Sequence, residues 1–104
     1  MNLTPHTIRI STANGEIELA SAGVARVTVT DAVIGTVDGI DLVAGTAGAV
    51  TGLPDQVEGT FLVVSAMVLS ALGGTRPDVV APDTGPTAIR RDGQVWAVTR
   101  LRAR

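Results

Sequence analysis

The sequence predicts an α+β domain, mainly antiparallel β hairpins with one packed α-helix at about residues 65–73. Three observations carry this reading. Val and Ile outnumber Leu and Thr is abundant, and β-branched side chains suit a pleated surface while losing rotamer freedom in helices. Asn14-Gly15, Asp38-Gly39 and Asp92-Gly93 are dipeptides that close tight hairpins. One segment only, Ser65 to Gly74, carries both a helix start and a helix stop. The 104 residues leave room for a single domain, residues 1–104.

Taken in order, Thr7–Ile10 and Glu16–Leu19 alternate on either side of Asn14-Gly15. Val24 to Thr30 places Val27 and Val29 on one face and Arg26, Thr28 and Thr30 on the other. A second hairpin is predicted at Asp38-Gly39, joining Val33–Val37 to Ile40–Val43. The small, Gly-rich stretch Ala44 to Gly52 reads as a strand close to another backbone or as a mobile loop. Phe61-Leu62-Val63-Val64 reads as a fully buried strand. It enters a helix capped by Ser65 and stopped by Gly73-Gly74, whose Val68, Leu69 and Leu72 face the sheet. A short apolar piece, Val79–Ala81, leads to the stiff Pro82-Asp83-Thr84-Gly85-Pro86 stretch. A last hairpin turns at Asp92-Gly93, with its second strand running from Gln94 to Leu101.

Composition narrows the function classes. Phe61 and Trp96 are the only aromatic residues, so a Val/Ala core lacks large contact areas, and a homo-oligomer (dimer or higher) is expected to supply what the monomer lacks. With no Cys, disulfides and thiolate chemistry are excluded and a cytoplasmic setting is the simplest. The N-terminus has no signal-peptide pattern, and Phe61 to Gly74 is too short to span a bilayer, so no membrane association is expected. The net charge of −2 argues against a nucleic-acid polymer as partner. Every basic residue is Arg, a preference that a GC-rich genome explains and that also suits bidentate phosphate recognition.

Catalysis is not expected. The chain has one His and neither Lys, Cys nor Tyr, which removes Schiff-base, thiolate and phenolic chemistry. No spacing suggests a metal site around His6, no motif matches a P-loop or dinucleotide fingerprint, and no cofactor is expected. Glu16 and Glu18 share a strand face as solvated charges.

The segment Pro82 to Arg91 is the best binding candidate. Gly85 permits close approach, Thr84 and Thr87 offer hydroxyls, and Arg90 and Arg91 point to opposite faces of a strand, so one of them can meet an anion. The competing reading is a loop stiffened for stability, with Asp83 capping its own turn. Arg26 lies on a rigid strand, and Ser65 at a helix start can cap or meet an anion. Trp96 reads as core or as a base-stacking ring. Arg100, Arg102 and Arg104 read as a frayed basic tail.

Several motifs occur in an order that carries a resemblance. They are Asn2-Leu3-Thr4-Pro5-His6, Gly35-Thr36-Val37-Asp38-Gly39-Ile40, Gly52-Leu53-Pro54, Leu62-Val63-Val64-Ser65-Ala66, Arg76-Pro77-Asp78, and Pro82 to Arg91 followed by Asp92-Gly93-Gln94. In these the chain resembles small proteins of phages and prophage-bearing bacteria, and looks like the first of the Thoeris anti-defence families. The resemblance implies a non-enzymatic sponge that sequesters cyclic ADP-ribose isomers, and in some members cyclic oligonucleotides, without cleaving them. It implies an oligomer of dimers with pockets near subunit contacts. Carried over to this chain, it points to Arg26, Ser65, Asp83, Thr84, Arg90 and Arg91, with Arg90 or Arg91 on phosphate and Thr84 and Asp83 on ribose or base. Sponge pockets commonly hold adenine against an aromatic ring. If Phe61 and Trp96 are both core, an Arg plane must take that role. The alternative is a protein-protein interaction or virion-associated module that binds through its sheet edges, without a nucleotide ligand, and a third reading is a carboxylate hydrolase.

Overall fold

The computed structural model describes residues 1–103. Its first hairpin pairs β1 (Ile8–Thr12) with β2 (Gly15–Leu19). The turn falls one residue earlier than the dipeptide suggests: Thr12 pairs with Gly15, so Ala13 and Asn14 form the loop. A hydroxyl explains the shift, because Thr12 Oγ1 donates to the Gly15 carbonyl and accepts from the Asn14 amide.

The second hairpin is longer than its two sequence fragments. β3 (Arg26–Val37) and β4 (Ile40–Thr51) run antiparallel for twelve residues each. Ala44 to Thr51 is therefore strand and not a mobile loop. Asp38 and Gly39 close the turn with φ of 51° and 77°, the left-handed pair that a two-residue hairpin loop requires. Only the root of this arm touches the core, where Val27 and Val50 pack half-buried. The rest projects, and the molecule measures 55 × 37 × 20 Å.

β5 (Leu62–Val63) leads into α1 (Ala66–Leu72) and then to β6 (Val79–Pro82). Ser65 caps the helix by accepting from the Val68 amide, and Gly73 ends it in the left-handed conformation. Returning through a helix makes β5 and β6 parallel, the one departure among the named strands from an otherwise antiparallel α+β arrangement. The last hairpin pairs β7 (Ile89–Arg91) with β8 (Gln94–Ala97). The strand expected to run on to Leu101 instead breaks after Ala97, and β9 (Leu101–Ala103) crosses to pair with β6. Arg102 thus lies in a paired strand and Arg100 directly before it, its carbonyl accepting from the Asp83 amide, so neither is a frayed tail; Arg104 lies outside the described residues.

Leu3, Ala25, Leu62, Val64, Val68, Leu69, Val79 and Ala81 form the core. The N-terminal segment threads through it. Leu3 donates to the Val63 carbonyl and Val63 to that of Met1, while Ala22 and Ala25 donate to the carbonyls of Asn2 and Leu3. Asn2, 1% exposed, uses its whole side-chain amide: Nδ2 donates to the His6 and Leu19 carbonyls, and Oδ1 accepts from the Thr4 amide and hydroxyl. Phe61 is 61% exposed, contrary to the expectation of a fully buried strand beginning there. No helix of the described residues is long and apolar enough to cross a membrane.

Candidate ligand-binding cleft

Four elements converge on an open cleft of about 400 Å³, toward the small end of ligand sites. β1 and the segment before it supply His6, Thr7 and Arg9; the start of α1 supplies Ser65; β6 and the following loop supply Pro82 and Thr84; β8 supplies Trp96. Backbone bonds hold the walls together, since Ser11 donates to Val98 and Val98 to Arg9. The ionisable groups lining the cleft are His6 and Arg9, with no carboxylate among them.

Trp96 is half-buried at the edge of this cleft and is not a core residue. The Arg91 guanidinium carbon lies 3.6 Å from its ring centroid and that of Arg9 lies 4.4 Å away. Arg9 is also tied to Glu18 at 2.8 Å and approaches Glu16 at 3.7 Å. A planar base entering here must displace a guanidinium or stack on its outer plane.

The loop after β6 is built around Asp83, which is 2% exposed. One carboxylate oxygen accepts from the Gly85 amide at 3.0 Å, and the other from Arg100 at 2.5 Å with Arg102 at 3.4 Å. The Arg100 hydrogen bond first, then the Gly85 amide, holds the carboxyl at a pKa of about 2 against opposing desolvation. Asp83 therefore caps its own turn and anchors β9 at the same time. Arg90 spans the loop, donating to the carbonyls of Thr84 at 2.7 Å and Gly85 at 3.3 Å. Its fork is spent on holding the loop.

The structure thus separates the six candidates. Ser65 and Thr84 line the same cleft, and Arg91 borders it through Trp96. Asp83 and Arg90 support the loop from outside the lining. Arg26 lines a second cavity of about 310 Å³ with Pro5, Thr28 and Met67; Thr4 and Ser65 are common to both. His6, Thr7 and Arg9 were not singled out as site residues by sequence reasoning. Their one signal was position: His6 closes a motif whose Asn2 is buried, and Arg9 sits on a strand beside Trp96.

Comparison with protein-family models, curated proteins and solved structures returns no match for this chain. Among the described residues no group of three or more His, Cys, Asp or Glu is placed to hold a metal ion.

Proposed function

We propose that the protein binds a small phosphate-bearing nucleotide in the Trp96 cleft and sequesters it without cleaving it. Cyclic ADP-ribose isomers or cyclic oligonucleotides are the ligand class, and a phage-derived sponge acting in the cytoplasm is the role. The observation that carries this reading is the pair of guanidiniums over Trp96 beside a cleft free of carboxylates. A stacked cation supplies both a plane for a base and charge for a phosphate. Thr84, Thr7 and Ser65 offer polar oxygens to a ribose, although the Ser65 hydroxyl already caps α1.

The test is incubation with cyclic ADP-ribose isomers and cyclic dinucleotides, removal of the protein by heating, and analysis of the recovered nucleotide. A sponge depletes free ligand and returns it intact. Degraded ligand indicates an enzyme, and neither depletion nor a thermal shift with any of them overturns the reading. A protein-interaction module without a nucleotide is the second reading, and the exposed apolar β3–β4 arm favours it.

A further inference from the structure

The edge of the β5–β6–β9 sheet collects cations around one buried carboxylate. Arg100 and Arg102 are alternate residues of an extended segment, so their side chains leave it on the same face. Both arrive at one oxygen of Asp83, Arg100 Nε at 2.5 Å and Arg102 Nε at 3.4 Å. Arg90 donates to the Thr84 and Gly85 carbonyls of the same loop. No ion pair among the described residues involves Arg90. Three guanidiniums thus stand on residues 83–85, which bring a single carboxylate.

Neutralising Asp83 does not explain this arrangement. One guanidinium is enough for one carboxylate, and Arg100 already fills that role at hydrogen-bonding distance. Arg102 brings a second cation to the same oxygen, where it repels the first. The two arginine side chains are 55% and 64% exposed, whereas that of Asp83 is 2% exposed. Their Nε edges are turned to the carboxylate, and their Nη groups meet no acceptor among the described residues. Asp83 is therefore a fixed seat that holds two guanidinium forks side by side with donors open to solvent. Forks held in this way suit the several oxygens of a phosphate group.

We propose that Arg100 and Arg102 bind a phosphate dianion, either inorganic phosphate or the phosphate of a monoester, with Arg90 adding to the local positive potential. Charge decides the class. Three cations set against Asp83 leave two positive charges, which a carboxylate ligand offsets by half and a phosphate dianion offsets in full. The bound anion also relieves the repulsion between Arg100 and Arg102. Asp83 meanwhile keeps the Gly85 amide and the turn that it caps. The site is separate from the Trp96 cleft, whose lining includes none of Asp83, Arg90, Arg100 and Arg102. The proposal does not depend on nucleotide binding there.

The test is an NMR titration of the isotopically labelled full chain at mildly alkaline pH and constant ionic strength. The probes are inorganic phosphate, methyl phosphate, acetate and chloride. The expected result is a saturable shift of the Arg100 and Arg102 Nε–H signals and the Gly85 amide with phosphate, about tenfold tighter than with acetate. Equal binding of methyl phosphate extends the site to monoesters, and its failure to bind restricts the site to the free ion; either result upholds the dianion. The Trp96 indole N–H stays in place, which separates this site from the cleft. Arg102→Gln, at an exposed side chain, weakens phosphate binding about tenfold, with core amide signals unchanged. Arg102→Lys keeps the charge without the fork and falls between the two. Phosphate shifts confined to the Trp96 indole, or no saturation at Arg100 and Arg102, overturn the proposal. Acetate binding as tightly as phosphate, or full affinity in Arg102→Gln, overturns it equally.

Discussion

The guanidinium of Arg91 lies 3.6 Å from the ring centroid of Trp96, closer than that of Arg9 at 4.4 Å. Arg91 and Trp96 belong to the two strands of one short hairpin, so the contact is local. It places a cation at the edge of the cleft on a rigid support.

Arg91→Ala is expected to abolish nucleotide depletion while lowering stability by only about 0.5–1 kcal/mol, the size of an exposed cation-π contact. Arg91→Lys keeps the charge but loses the flat stacking surface, and retains partial binding. Trp96 is the only tryptophan, so its fluorescence reports the change directly. Depletion by Arg91→Ala equal to that of the wild type removes Arg91 from the site.

Asp83 gives the molecule an acid limit. Its carboxyl is depressed from 3.8 to about 2 in the folded protein by Arg100, the Gly85 amide and Arg102. The ionised group therefore contributes stability fully above the unfolded value, and that contribution is lost as pH falls through about 2. Urea midpoints measured from neutral pH down to pH 2 are expected to fall below pH 4 for the wild type. Asp83→Asn is less stable at neutral pH and lacks this component of the decline.

Asn2 has a different kind of importance. Replacing it by Leu deletes four hydrogen bonds and takes the Asn2 partner from the Leu19 carbonyl and the Thr4 amide, while the His6 carbonyl keeps only the Thr4 hydroxyl. A loss of about 2–4 kcal/mol is expected, measured by chemical denaturation. Since Thr4 and His6 line the cleft, nucleotide affinity falls with it.

Gly52 and Gly39 share a left-handed φ, 78° and 77°, but not their surroundings. A Cβ on Gly52 would sit 2.5 Å from the Val24 carbonyl oxygen, whereas on Gly39 it meets nothing within 4 Å. Gly39→Ala should cost about 1 kcal/mol from backbone conformation alone. Gly52→Ala should cost clearly more, and equal shifts in thermal midpoint would contradict the close approach.

The turns were legible because their chemistry is local. Asp38-Gly39 and Asp92-Gly93 both adopt positive φ, as the dipeptides require. The helix was legible for the same reason, Ser65 and Gly73 serving as its caps. What the sequence hid depends on distant partners. Ala44 to Thr51 has few β-branched residues, so only its ladder with β3 makes it a strand. The ordering of Arg100 and Arg102 depends on Asp83, seventeen residues away in the case of Arg100. In the cleft, Thr84 and Ser65 could be named from sequence, but the binding of Arg90 to loop carbonyls could not. Nor could the pairing of Arg76 with Asp78 and the Pro54 carbonyl, which explains the Arg76-Pro77-Asp78 motif as a clip on the Gly52–Pro54 loop.

Ile34 is a surplus residue in its ladder: Val33 pairs with Val43 and Gly35 with Leu42, leaving Ile34 outside the pairing. Its deletion would let the two strands close up with every other pair intact. Because a bulge adds twist, the shortened arm would point its tip in another direction with one exposed apolar side chain fewer. The angle of the arm is thus adjustable one residue at a time, at a position outside the ladder.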